Sequence, residues 1–158
     1  MKKRVGIIIL VLLLLILAGG GAAFYYYYSK YINIDAIYPG MTIQGMSVGG
    51  MTQEEAKAKV QEYVDKVSQE TVTLQVKKKE STFALSDIGL KCTNMDVVEK
   101  AYDFGKTGNV FKRVIEVRKL EKEGMDFPLT FSVDKAETRK VVKKKAKKFL
   151  AKKKDATI

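Results

Sequence analysis

The longest apolar pattern in the chain lies at its amino terminus. Residues 5–28 contain no charged side chain, and the preceding residues 1–4 read MKKR. At about 1.5 Å per residue, this run is long enough to cross the roughly 30 Å hydrocarbon layer of a membrane as one helix. We therefore predict a cytoplasmic tail over 1–4 and a signal-anchor over 5–28. The four tyrosines of 25–28 suit the outer membrane interface.

A cleaved signal peptide is the alternative for the same residues. Val5 to Ala18 has the length of a signal core, and Gly21-Ala22-Ala23 has the small residues of a cleavage site. The anchor is favoured because the uncharged run continues well beyond such a core. Both interpretations place residues 29–158 outside the cytoplasm.

Short apolar pieces separated by glycines follow the anchor. Residues 29–35 are predicted to be a stalk, and the next stretch contains YPGMTIQGMSVGGMTQEEA, residues 38–56. Pro39-Gly40 indicates a turn. Short strands are predicted around 41–43 and 45–48, with bends that glycine permits.

The first helix of the domain has a clear start signal. Thr52 and Glu55 have the spacing of a capping box. We predict a helix from Thr52 to about Ser68. Its apolar residues share one helical face: Ala56, Val60, Tyr63, Val64 and Val67.

Strict alternation then predicts a hairpin. The alternating apolar residues are Val72, Leu74 and Val76, then Phe83 and Leu85, with the polar stretch 77–81 between them. This pattern is typical of two strands with one buried face.

Two helices and a strand are predicted next. Residues 93–96 (TNMD) offer a cap for a short helix that ends at Gly105, with Val97, Val98 and Ala101 facing inward. A second helix spans Asn109 to Glu121. One strand is predicted from the alternation of Phe127, Leu129, Phe131 and Val133, at a sheet edge because Pro128 lacks an amide donor.

The last predicted helix begins at Asp134, with an apolar stripe of Val142, Ala146, Phe149 and Leu150. Strands interleaved with helices predict an α+β fold. It consists of a single transmembrane helix and one small mixed domain, residues 36–150, with short strands and about four helices. Residues 151–158 are predicted to start a linker to a further region.

The net charge of the chain indicates which kinds of partner it suits. It has 29 Lys and Arg against 18 Asp and Glu, a net charge of +11. A basic exported domain suits polyanions or an acidic surface. The lysines of 134–154 are either a solvated face over the apolar stripe or a surface for anionic polymers or lipid headgroups. Without an aromatic-interleaved recognition motif, nucleic acid is not predicted as a partner.

The chain has no histidine, and Cys92 is its single cysteine. A tetrahedral zinc site would need carboxylates alone, and a cysteine or serine nucleophile would lack an imidazole base. The K-T-G of 106–108 and S-x-x-K of 132–135 stand in the reverse of the order found in penicillin-binding enzymes, so we interpret them as chance. We predict no catalytic residue, no metal, no cofactor and no intramolecular disulfide, with Cys92 as a small core residue.

Three stretches, in order along the chain, resemble one known domain. They are IYPGMTIQGMSVGGMTQEEAKAKV, FALSDIGLKCT and VEKAYDFGKTGNVFKRV. Together they resemble the peptidoglycan-binding domain of VanW-family and YoaR-like envelope proteins, which also precedes the catalytic domain of some L,D-transpeptidases. The similarity spans 34–150. Lys106 stands where this family usually has arginine.

The resemblance implies one group of structural residues, and the predicted helix boundaries at Gly105 and Asn109 indicate a group of candidate ligand contacts. The structural group shapes the turns and the first helix: Gly40, Gly45, Gly49, Gly50 and Thr52. The predicted ligand contacts are Lys106, Asn109 and Arg113, which converge near a helix N-terminus. Such a place suits a stem-peptide carboxylate or a wall phosphate. An ordinary helix cap is the alternative for Asn109.

The resemblance and the topology together imply a non-catalytic cell-membrane protein whose outer domain binds peptidoglycan. Its partners would be peptidoglycan and anionic wall polymers, with the membrane contacted through 5–28. One alternative is the N-terminal region of an L,D-transpeptidase that cross-links peptidoglycan. Another is a structural membrane protein that holds anionic wall polymers or a protein partner.

Overall fold

The apolar amino-terminal run forms one long helix. The computed structural model describes residues 2–76, 78–147 and 149. Helix α1 runs over Lys2–Tyr27, and a π-helical turn, Tyr28–Ile32, continues it without a break. The stretch Val5–Ile32 is long and apolar enough to cross a membrane by length and composition, a property that signal sequences share.

The end of this helical segment packs into the domain. Ile32 is fully buried in the core, and the hydroxyl of Tyr38 donates a hydrogen bond to its carbonyl. The predicted stalk, residues 29–35, is therefore tied to the packed domain through Ile32 and Ile34, whereas residues 29–31 are exposed. The prediction missed this because the alternation of Ile32 and Ile34 with polar residues is too short to indicate a packed segment.

The remaining elements form the predicted α+β domain, with four further helices and short strands. The helices are α2 (Gln53–Gln69), α3 (Val97–Asp103), α4 (Val110–Glu123) and α5 (Lys135–Ala146), with a 3₁₀ turn at Leu85–Ile88. The strands are β1 (Met41–Ile43), β2 (Met46–Ser47), β3 (Thr71–Val76), β4 (Lys79–Ala84), β5 (Lys91–Cys92), β6 (Met125–Phe127) and β7 (Phe131–Ser132).

The strands form three small sheets. In the sheet of order β2-β1-β6, β1 pairs antiparallel with β2 and parallel with β6, with Met41 opposite Met125. β3 and β4 form the predicted hairpin, although Leu85 begins the 3₁₀ turn instead of extending β4. β5 and β7 pair antiparallel. The β1–β6 pair joins the beginning of the domain to its last third.

The prediction of one strand over 127–133 is wrong. The chain leaves the first sheet after Phe127 and enters another at Phe131. Asn94 holds the intervening residues, since its side chain donates to the Pro128 carbonyl at 2.9 Å and accepts from the Thr130 amide at 2.8 Å. Alternation is preserved across the break, so the sequence pattern did not reveal it.

Side-chain caps are present at three of the four predicted helix starts. Thr52 and Glu55 form the capping box, and Asp134 accepts from two first-turn amides of α5. Asn109 caps α4. At α3, however, no side chain of the described residues caps the helix, and the Asp96 carboxylate forms an ion pair with Lys100 at 2.6 Å.

The core lies between α2, α3, α4 and the first sheet. Its buried members are Ile32, Ile37, Tyr38, Met41, Ile43, Val48, Ala56, Val60, Val97, Val98, Ala101, Val117, Leu120 and Leu129. Cys92, predicted to be a small core residue, is half-buried and packs against this cluster without belonging to its buried members. The β3–β4 hairpin and α5 lie outside it: Val72 is 40% exposed, and Val142 and Ala146 are half-buried. Leu150 and residues 151–158 lie outside the described residues.

The glycine-rich opening uses its glycines in two ways. Gly40, Gly45 and Gly50 have positive φ angles. Gly49 does not; instead, a Cβ there would lie 2.9 Å from the Cα of Pro39 and 3.1 Å from the Tyr38 carbonyl oxygen. A close approach of two backbone segments therefore requires glycine at 49.

Replacing Gly49 by alanine should lower the free energy of unfolding by about 1–3 kcal/mol, because backbone atoms have to move to admit a methyl group. Denaturant titration of the full chain in detergent micelles measures this loss. Gly45 is the matched control, since its φ is +73° and a Cβ there meets no atom of the described residues within 4 Å. Because asparagine tolerates positive φ, Gly45→Asn should cost less than Gly45→Ala. Gly49→Asn should cost at least as much as Gly49→Ala, and the opposite order would contradict the close-approach explanation.

Candidate functional site

The three predicted contact residues lie at the connection between α3 and α4. Gly105, buried and with φ +68°, turns the chain after α3. Lys106 follows in the turn, Asn109 immediately precedes α4, and Arg113 lies in the first turn of that helix. The structure thus brings them to one region but gives each a different environment.

Asn109 is a helix cap. Its side-chain oxygen accepts a hydrogen bond from the Lys112 amide at 2.9 Å. This contact satisfies one of the amides that a helix start leaves without a partner. The side-chain oxygen of Asn109 therefore has a role in the fold that requires no ligand.

Arg113 joins three parts of the domain. Its Nε donates to the Gly105 carbonyl at 3.0 Å, and one Nη donates to the Ile32 carbonyl at 2.9 Å. The other Nη donates to the Tyr28 hydroxyl at 2.5 Å. Arg113 therefore connects α4 to the turn after α3 and to the end of the amino-terminal helical segment. Each of its three guanidinium nitrogens therefore donates a hydrogen bond within the protein.

Lys106 has a different environment. Its Nζ lies 3.1 Å from the centre of the Tyr102 ring, is buried, and has no hydrogen-bond partner among the described residues. Burial lowers the pKa of the Lys106 ammonium below its ordinary value, and nearby Arg113 adds to this, while Asp35 and Asp103 act in the opposite direction. Lys106 therefore has a buried ammonium whose N–H groups donate no hydrogen bond to the described residues.

A cleft of about 270 Å³ lies beside this ammonium. It is lined by Asn33, Ile34, Asp35, Tyr102, Lys106 and Arg113. The Tyr102 hydroxyl donates to the Asp35 carboxylate, and this bond raises the pKa of Tyr102. The cleft therefore offers a cation, a carboxylate and an aromatic ring to a small polar group.

Sequence reasoning did not find two of these residues. Asp35 fell in the predicted stalk, where nothing indicated a packed segment. Tyr102 precedes Lys106 by four residues in an aromatic-rich stretch (AYDFGK), and this was the one local signal available. Within the part of the chain that the structure describes, no group of three His, Cys, Asp or Glu side chains is arranged to hold a metal ion.

Residues 81–158 match the family described as "Putative peptidoglycan binding domain". The matched range contains α3, α4, and all three predicted contact residues. No curated protein and no solved structure matches the chain. The match supports a peptidoglycan-binding role and, through it, a place in the cell envelope. The closer assignment to VanW-family or YoaR-like proteins stays a prediction.

The matched range is not the whole structural unit. Its β6 pairs with β1, and its Val117 and Leu120 share the core with Ile32 and Ile43. The domain that carries the match therefore begins near Ile32, well before residue 81.

Proposed function

We propose that this chain is a membrane-anchored, non-catalytic cell-envelope protein whose extracytoplasmic domain binds peptidoglycan. The match of residues 81–158 carries the proposal. The apolar α1 supports anchoring, and the basic residues before it favour an inside amino terminus. This orientation places the domain on the wall side of the membrane.

The cleft around Lys106 is the contact site in this proposal. A buried donor without a partner costs about 1–3 kcal/mol, and an acceptor that reaches it recovers this cost. A stem-peptide carboxylate is a suitable acceptor because it is anionic and forms charge-assisted hydrogen bonds with an ammonium. Asn109 and Arg113 then support the site, Asn109 by starting α4 and Arg113 by fixing the turn at Gly105.

The side chains available support binding over catalysis in these residues. The chain has no histidine to serve as a neutral-pH base. The Cys92 sulfur lies 3.6 Å from the side-chain oxygen of Asn94, which is an amide and not a base.

Sedimentation of the full chain in detergent micelles with purified sacculi tests the function. We expect the protein to pellet with the sacculi, and to do so after anionic polymers have been stripped from them and at high salt. Salt screens exposed charges over about 8 Å at physiological ionic strength. Binding that disappears at high salt or without the anionic polymers would favour the structural polymer-holding alternative over peptidoglycan recognition.

Replacing Lys106 by methionine should weaken binding to sacculi by about tenfold or more, the equivalent of one charge-assisted hydrogen bond. Stability should not fall, because the substitution removes an ammonium that burial already disfavours. The matched control is Lys57→Met, which removes the same charge from an exposed position on α2. Equal affinities for the two variants, with both folded by circular dichroism, would remove Lys106 from the site.

A further inference from the structure

Helix α4 exposes two large apolar side chains to solvent. Phe111 is 77% exposed and Ile115 is 67% exposed, the highest values for large apolar residues in the described part of the chain outside the amino-terminal helical segment. Four residues apart, they lie on one helical face, which Arg118 and Lys122 continue. Phe111, Ile115, Arg118 and Lys122 are called the outer face of α4 below.

This outer face adjoins the end of the apolar helix. The guanidinium of Arg118 lies 6.0 Å from the centre of the Tyr27 ring, and the Tyr27 and Tyr31 rings pack in a tilted arrangement with their centres 5.2 Å apart. With Val5 to Phe24 in the hydrocarbon layer, at about 1.5 Å per residue, the tyrosines that follow lie at headgroup level. The contact with Tyr27 places Arg118 at this same level.

We propose that the outer face of α4 rests on the outer leaflet of the membrane that holds α1. Phe111 and Ile115 enter the boundary between headgroups and acyl chains, and the basic side chains meet the phosphates of anionic lipids. An interfacial helix combines apolar and basic residues in this way. The inference rests on the anchoring part of the proposed function.

Charge favours lipid over a second copy of the chain. Besides Arg118 and Lys122, the same side of α4 carries Lys112 and Lys119, which have glutamate partners at 3.6 and 3.8 Å. Arg118 and Lys122 form no ion pair among the described residues. A second copy packed on this face would place uncompensated cations against each other, whereas anionic headgroups neutralise them.

The absence of tryptophan from the chain makes a direct test possible. Phe111→Trp, in the full chain reconstituted into phosphatidylglycerol–phosphatidylcholine vesicles, gives a single emitting indole on the outer face. Val72→Trp is the control, an apolar and partly exposed site on the β3–β4 hairpin. Leu14→Trp reports on α1 itself.

With brominated lipids in the vesicles, the emission of Phe111→Trp should be blue-shifted and largely quenched. Val72→Trp should keep its aqueous emission, and Leu14→Trp should be strongly quenched. Quenching should weaken when phosphatidylglycerol is left out. An unquenched Phe111→Trp beside a quenched Leu14→Trp overturns the lipid contact alone. If Leu14→Trp is also unquenched, the anchoring part of the proposed function fails. A blue shift that is the same with and without brominated lipids and that grows with the protein-to-lipid ratio would show that a second copy of the chain covers this face. That result also overturns the proposal.

Discussion

Replacing Ile32 by alanine is expected to lower the free energy of unfolding of the domain by about 2–4 kcal/mol. Ile32 is fully buried and belongs to the core cluster that also contains Tyr38 and Val117. Removing three carbon atoms there forfeits their burial and leaves a cavity that the surroundings fill only in part. Denaturant titration of the full chain in detergent micelles measures the loss.

The neighbouring Tyr31 provides the control for this experiment. It belongs to the same π-helical turn but is 45% exposed. Tyr31→Ala should therefore cause a clearly smaller loss than Ile32→Ala. Equal losses would mean that residues 29–35 behave as the stalk that the sequence predicted, with no share in the core.

Replacing Arg113 by alanine is expected to lower the free energy of unfolding by about 2–4 kcal/mol, because hydrogen bonds to charged groups contribute about 1.5–3 kcal/mol. The carbonyls of Gly105 and Ile32 both lose their Arg113 donor. The Ile32 carbonyl keeps its hydrogen bond from the Tyr38 hydroxyl. Arg113→Lys should recover less than half of the loss, since an ammonium lacks the planar fork that reaches several acceptors at once. The same titration measures both variants.

Arg118→Ala is the matched control, because it removes a guanidinium from the same helix at an exposed position. We expect it to leave the unfolding transition nearly unchanged. If Arg113→Ala abolished binding to sacculi but left stability intact, Arg113 would be a ligand contact, as predicted from the sequence, and not a structural connection. The two readouts together therefore decide its role.

These expected results describe a domain joined firmly to its amino-terminal helix. Arg113, Ile32 and the Tyr38 hydroxyl all act at the junction. A domain held in this way keeps its orientation relative to α1. With α1 in the membrane, the Lys106 cleft would face the same direction in every molecule.

The features that depend on neighbouring residues were predictable from the sequence. The apolar length of α1, the Thr52–Glu55 capping box, the β3–β4 hairpin and the cap at Asp134 were all predicted and are all present. Each depends on side chains within a few positions of one another, or on a single uninterrupted pattern. The periodicity of apolar residues indicates the buried face of a helix or strand because it also depends on residues a few positions apart.

Which distant segments meet could not be predicted from the sequence and is seen in the packing of the folded domain. The parallel pairing of β1 with β6 and the division of 127–133 between two sheets depend on contacts across most of the domain. The structural role of Arg113 also depends on such contacts, because the Ile32 carbonyl that accepts its hydrogen bond lies far away in the sequence. An arginine before an apolar stripe has the same local pattern whether it binds a ligand or a carbonyl. The burial of Ile32 and the partnerless ammonium of Lys106 likewise follow from how packed segments enclose them, which the order of residues does not specify.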